Sequence, residues 1–451
     1  MKDLTQGPIS SHLAQMSLFI FAGMLIQTLY YLVDLYFVAG LGEEVLAGVS
    51  AAGTLMFVIL ALTQVLGVST VALISHAVGR KDQADANLIF NQSMLLSAGC
   101  AAIVLVGGYA IADAFMRELS ADDAAAAAGT TYLYWFLPCM ALQFAMVAMS
   151  SALRGTGIVK PTMLVQSVTV LVNIVLAPIL IAGWGTGRPL GVLGAGLASS
   201  IAVLVGVVML LMYFVRLEHY VSVDPASWRP RLETWRRMFN IGLPSGGEFA
   251  IMFLIIVVIY WCIRHFGADA QAGFGVGQRV MQAIFLPAMA VAFAAAPIAG
   301  QNFGARSAER VRETFRSALI WSLLIMAALA VLCQWRPDVL VAPFAKDPQV
   351  LTVASHYLRI VSWNFVAMGI IFTCSGLFQA MGNTWPALFS SACRILTFVV
   401  PAVWLSTQPG VELDHFWYVS VASVALQAVV SGWLLHREFR RRLTFAPAQP
   451  A

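Results

Sequence analysis

Long apolar runs, each closed by a short polar or glycine-rich stretch, recur from one end of the chain to the other. They fall at about 13–39, 46–78, 88–115, 130–153, 161–183 and 191–215, then at about 238–265, 271–303, 314–334, 350–380, 386–406 and 414–437. Each run holds roughly 20 residues or more, enough for a helix to cross a ~30 Å hydrocarbon core. Helix is the expected form because lipid offers no partner to a free N–H or C=O. The spacing of polar positions therefore predicts twelve spanning helices and an all-α integral membrane fold.

The runs also repeat. An ungapped shift of 225 residues lays Gly42 on Gly267, Gly48 on Gly273, Phe90 on Phe315, Tyr132-Leu133 on Tyr357-Leu358, Gly157 on Gly382 and Pro161 on Pro386. Solenoid repeats are far shorter. A period this long in so apolar a chain points to a two-lobed transporter. Six spans per repeat set both lobes the same way up, which implies a pseudo-twofold along the membrane normal. The expected divisions are an N-lobe over 1–215, a cytoplasmic linker over 216–237 and a C-lobe over 238–451. Within the linker, Pro225 and Pro230 interrupt any continuous helix.

Composition narrows the class further. Of 451 residues, 60% are hydrophobic and 11% charged, against about 25% charged in a typical soluble domain. Eighteen Lys and Arg lie on one side of the expected membrane and five on the other. That asymmetry places both termini and the linker in the cytoplasm, as for a multi-pass protein of a bacterial inner membrane. It also accounts for the net charge of +4, leaving no basic folded surface for nucleic acid. The first apolar run is too long for a cleavable signal peptide. The six cysteines are scattered singly, without a Cys/His cluster, so neither a disulfide nor a metal site is expected. The expected partners are a small-molecule substrate and the bilayer, with the chain acting as a monomer.

Charged residues deep in a span are costly and mark function by default. Five stand out: Asp34, Glu248, Arg279, Arg359 and Arg394. Asp34 lies roughly 8–10 Å inside the outer end of the first run, a depth at which a charged carboxylate is poorly solvated and suits proton exchange. Tyr30 and Tyr31 precede it by one helical turn and offer hydroxyls. Glu248 follows Pro244 and Gly246-Gly247, a sequence that permits bending, near the midplane. Arg279 reaches a similar depth, and an ion pair with Glu248 is expected. Arg359 is expected to snorkel outward, while Arg394 has no evident partner. Gln27, Asn173, Gln282 and Asn364 are candidates to line a cavity with these charges. Paired acids, a metal cluster or a nucleophile with its base are absent at helical spacing, so no enzyme and no cofactor are expected.

Several local motifs, in order along nearly the whole chain, are similar to those of the multidrug and toxic compound extrusion (MATE) family. They include Val33-Asp34-Leu35-Tyr36-Phe37 with Gly40-Leu41-Gly42, Leu153-Arg154-Gly155-Thr156-Gly157 before Pro161, and Gly300-Gln301-Asn302-Phe303-Gly304. The resemblance implies an antiporter that expels amphipathic, often cationic compounds against protons or sodium ions, its lobes rocking around a central cavity. Under it, Asp34 is the coupling carboxylate of the first helix, and Asn173 is a polar neighbour on the fifth. Three departures stand out: Ala177 replaces an acid one turn after the asparagine, no partner acid occurs near Met368, and Phe19 replaces a helix-bending proline. The loss at Ala177 leaves a first-lobe sodium site short of a ligand and favours protons. The expectation is a proton-coupled, outward-facing exporter, with a flippase for a lipid-linked sugar precursor or a sodium-coupled exporter as alternatives.

Overall fold

The computed structural model describes residues 1–120, 122–344 and 346–445, apart from the side chains of Tyr31 and Leu35. Every regular element among them is helical. Eleven stretches are long and apolar enough to span a membrane, and two helices meeting at a 60° bend complete a twelfth. The all-α integral membrane fold is thus present. The tail of the expected C-lobe beyond 445 lies outside the described residues.

Two compact units form. The first takes Met1–Asp3 and Phe19–Gly242, the second Leu4–Leu18 and the chain from Leu243 onward. The first carries most of α1 (Ile9–Ala39), then α2 (Glu43–Gly53), α3 (Leu55–Gly79), α4 (Gln83–Leu119), α5 (Asp123–Gly155), α6 (Lys160–Ile181) and α7 (Val192–Arg216). Asp82 caps α4 by accepting from the Asp85 N–H, and Asp122 does the same for α5 through Ala125. Phe90 stacks on Phe214 at 4.6 Å and Tyr132 on Phe136 at 4.9 Å in its core. The chain after α7 is not free. Asn91 of α4 accepts from the Asp224 N–H and donates to the Ser222 carbonyl at 2.8 and 2.9 Å, and Gln92 donates to the Ser227 and Arg229 carbonyls at 2.8 Å. Two side-chain amides thereby satisfy backbone on either side of a single 3-10 turn, Pro225–Ser227.

The second unit carries most of α8 (Leu232–Ile263), then α9 (Ala268–Gly304), α10 (Ala308–Trp335), the short α11 (Pro337–Val341), α12 (Pro348–Val361), α13 (Asn364–Ala380), α14 (Trp385–Arg394), α15 (Val400–Ser406) and α16 (Leu413–Arg442). One π-helical turn, Ile395–Val399, joins α14 to α15. The aromatic core is a triad in which Trp417 lies 4.7 Å from Tyr357 and 5.6 Å from Phe274. Within this unit the N-terminal segment is tied by Arg310, which donates to the Gly7 carbonyl at 2.9 Å, and by Asn302 and Gln301, which bond Leu4.

The repeat reappears in the backbone. Positive φ occurs at Gly42 and Gly267 (117° and 94°), Lys81 and Arg306 (60° and 59°), Gly157 and Gly382 (80° and 68°), and Gly185 and Gly410 (74° and 79°), each pair one period apart. The turn ending α3 is closed by N–H donors of Arg80, Lys81 and Asp82, and that ending α9 by those of Ala305, Arg306 and Ser307, with the same offsets.

The tenth expected span is not one straight helix. It breaks at Ser362-Trp363, between α12 and α13. The Ser362 hydroxyl donates to the Arg359 carbonyl at 2.9 Å, and Gln334 of α10 donates to that carbonyl at 2.7 Å and to the hydroxyl at 2.8 Å. Side chains thus satisfy backbone that the bend releases, the condition for tolerating a break at membrane depth.

Candidate functional site

Each unit contains its own cleft. That of the first encloses about 520 Å³ and is lined by Gln27 and Tyr30 of α1, Cys139, Gln143 and Met146 of α5, and Thr169 of α6, among others. Local chemistry opens α5 beside it. Pro138 has no N–H to give the Tyr134 carbonyl, and the Tyr109 hydroxyl supplies that bond at 2.9 Å. Ser200 of α7 then inserts into the same ladder, accepting from the Cys139 N–H at 3.1 Å and donating to the Trp135 carbonyl at 2.5 Å.

Asp34 and Asn173 stand one helical turn beyond Tyr30 and Thr169 of this lining. Asp34 lies close enough to Tyr30 and Cys139 to act on both electrostatically. Its Oδ1 is buried without a hydrogen-bond partner among the described residues. Asn173 is fully buried; its amide donates to the Ser199 hydroxyl at 3.4 Å while its Oδ1 is likewise unpartnered. An unmet buried acceptor costs about 1–3 kcal/mol, and these two oxygens are among the buried polar atoms left without a partner in the described residues. The following turn of α6 presents Ala177, also buried, and no further oxygen from its side chain.

The second cleft encloses about 700 Å³. Glu248 of α8 lines it, and its Oε2 accepts from the Ser375 hydroxyl of α13 at 3.0 Å. Gln379, Ser391, Arg394 and Gln427 add polar groups to a largely apolar wall of methionines, phenylalanines and isoleucines. Gly376 lets α13 lie against α9: a Cβ there would sit 2.7 Å from the Ala292 carbonyl oxygen.

The expected site residues thus divide. Gln27 and Tyr30 line the first cleft with Asp34 and Asn173 nearby, and Glu248 lines the second. The Tyr31 side chain lies outside the described residues. Asn364 is buried at the start of α13 with its side-chain oxygen unpartnered. Arg279 and Gln282 are exposed on α9 and line neither cleft. The expected Glu248–Arg279 ion pair does not form among the described residues, because Arg279 projects from the exposed face of its helix while Glu248 turns to Ser375. Arg359 is exposed as well. Arg394, a guanidinium near the middle of an apolar run with no partner evident from the sequence, lines the second cleft. No group of three or more His, Cys, Asp or Glu side chains that could hold a metal occurs among the described residues.

Comparison with known proteins yields consistent matches. A family model described as MatE matches residues 20–179 and again 244–405, once per repeat. The FAD transporter of Shewanella oneidensis is 24% identical, over 89% of this chain and 89% of its own. The probable multidrug resistance protein YoeA of Bacillus subtilis is also 24% identical, over 86% and 85%. The multidrug export protein MepA of Staphylococcus aureus is 22% identical, over 84% and 83%. Among solved structures, a multidrug resistance MATE family transporter of the MOP superfamily in an outward-facing conformation superposes with a TM-score of 0.91 at 22% identity, covering 99% of both chains. A MOP superfamily transporter from Pyrococcus furiosus, described as having a binding pocket of reversed polarity, gives 0.91 at 23% identity, over 98% of both.

Proposed function

Because the chain belongs to the MatE family of membrane transporters, we propose that it exports amphipathic, cationic drugs or toxic compounds across the bacterial inner membrane in exchange for protons. Relatives named for multidrug resistance and multidrug export support the substrate class. The observation that carries the coupling is Asp34, whose buried Oδ1 has no hydrogen-bond partner. A carboxyl so placed can hold either a proton or the positive charge of a substrate.

A proton arriving from outside neutralises Asp34, loosens its hold on the cation and favours closure of the outer mouth. Loss of the proton to the cytoplasm resets the carboxylate for the next substrate. A difference of about a hundredfold in proton affinity between two arrangements is worth ~2.7 kcal/mol, which biases an alternating-access equilibrium by about the same factor. Glu248 offers a second exchangeable carboxyl, held by Ser375. Ala177, in place of an acid beside Asn173, supports protons over sodium, which needs several oxygen ligands. The positive-inside distribution supports cytoplasmic termini. A lipid-pyrophosphate flippase calls for several arginines around one cavity. Of the three expected arginines, Arg394 lines the second cleft, while Arg279 and Arg359 are exposed and line neither described cleft.

Purified protein in vesicles tests the reading, with a cationic dye and an imposed pH gradient or an imposed sodium gradient. Dye movement driven by the pH gradient and lost in Asp34→Asn is expected. Movement that follows sodium alone, or survives intact in Asp34→Asn, would overturn it.

A further inference from the structure

Arg394 is the charge that the coupling mechanism leaves unused. It stands at the end of α14, nine residues from Trp385, or roughly 14 Å along the helix. That is near the middle of the span Trp385–Ser406. Its Nε is buried and without a partner, and no hydrogen bond or ion pair among the described residues reaches its guanidinium. Its guanidinium lies over the Phe398 ring at 5.8 Å and within electrostatic reach of Tyr357. Arginine at such a depth ordinarily pairs with an acid or with backbone carbonyls. Here the acid that lines the same cleft, Glu248, is engaged by Ser375 instead.

The backbone reinforces the oddity. The π-helical turn Ile395–Val399 follows Arg394 directly. Such turns widen a helix, cost hydrogen-bond geometry and gather at functional sites. The apolar wall of the same cleft mixes three methionines, three phenylalanines and three isoleucines, and the adaptable thioethers and flat rings among them suit aromatic bodies of varied outline.

We propose that the cleft of the second unit is a subsite for the anionic group of aromatic substrates, with Arg394 pairing a carboxylate or phosphate in bidentate fashion and Glu248 facing any cationic end. The inference rests on the transport reading and deepens it: the substrate range then includes zwitterions, not cations alone. A guanidinium is well matched to such oxyanions, since its planar fork presents two parallel donors. The ligand supplies the partner that the protein withholds.

A matched pair of dyes isolates the claim: a rhodamine free acid, which carries a benzoate beside its xanthene cation, and the methyl ester of the same molecule. Binding of each to the purified protein is followed by fluorescence anisotropy. The wild type should bind the acid more tightly than the ester. Arg394→Gln should weaken the acid by roughly tenfold or more, as for loss of a charged hydrogen-bond pair, and leave the ester within about twofold. Arg394→Lys should recover part of the acid's affinity. An ester bound as tightly as the acid by the wild type refutes the subsite without need of any variant. Equal losses for both dyes in Arg394→Gln refute it too, by reducing Arg394 to packing. Failure of the wild type to bind either dye would instead bring down the transport reading, and this inference with it.

Discussion

Single residues carry both the function and the strain of this chain. Asp34, Glu248 and Arg394 were legible as charges in apolar runs, because a charge is expensive wherever lipid surrounds it. Their partners were not legible. Glu248 and Arg279 sit at similar depths on successive helices, yet depth says nothing of which way a helix faces, and Arg279 is exposed where Glu248 lines a cleft. The orphaned oxygen of Asn173 was equally invisible, since it depends on which neighbours fail to reach it. Strain is visible at Lys81 and Arg306, which hold φ near 60° without being glycine. A side chain in that region costs roughly 1–2 kcal/mol. Arg306→Gly is therefore expected to stabilise the fold by up to about 1 kcal/mol, read as a higher melting temperature of the purified protein. A lower one would show that the arginine side chain contributes more than its backbone costs.

Among the elements, the hydropathy pattern gave the lengths of helices and missed their irregularities. Pro138 was on view in the sequence, but the repair of the ladder by Ser200 and Tyr109 comes from other helices and needs the packed structure. Ser200→Ala leaves the Trp135 carbonyl and the Cys139 N–H unmet beside the first cleft. A loss of about 1–3 kcal/mol is expected from that change, measured as reduced thermal stability in detergent, together with weaker dye binding. Unchanged stability would mean that the opened turn of α5 is satisfied in another way. The bend between α12 and α13 was missed for a similar reason. Ser362-Trp363 breaks no hydropathy rule, and the break is sustained by Gln334 of a different helix. At the N-terminus, Arg310 binds the Leu4 and Gly7 carbonyls. Removing it in Arg310→Ala should expose the first residues to added protease, whereas protection equal to the wild type would show that the apolar contacts of Leu4 and Ile9 suffice.

For the molecule as a whole, duplication was the most legible feature, because matched glycines mark matched turns. The paired φ values at one period's spacing express it in the backbone. What the alignment of halves could not reveal is the reciprocal membership of the helix starts, Leu4–Leu18 with the second unit and the first turns of α8 with the first. Hydropathy reports what leaves water and is silent on which unit receives it. An even number of spans in each repeat predicts that both ends of the chain share one side of the membrane. A reporter that fluoresces only in the cytoplasm should thus give signal from either terminus. Opposite results at the two ends would mean that one expected span does not cross.

The central claim is that Asp34 gives up a proton when a cationic substrate binds. Its most direct test is proton release itself, followed with a pH indicator in weakly buffered solution as a cationic dye is added to the purified protein. The account predicts roughly one proton released per dye bound near neutral pH in the wild type, and little or none in Asp34→Asn. Dye binding without proton release in the wild type, or the same release from Asp34→Asn, would contradict it.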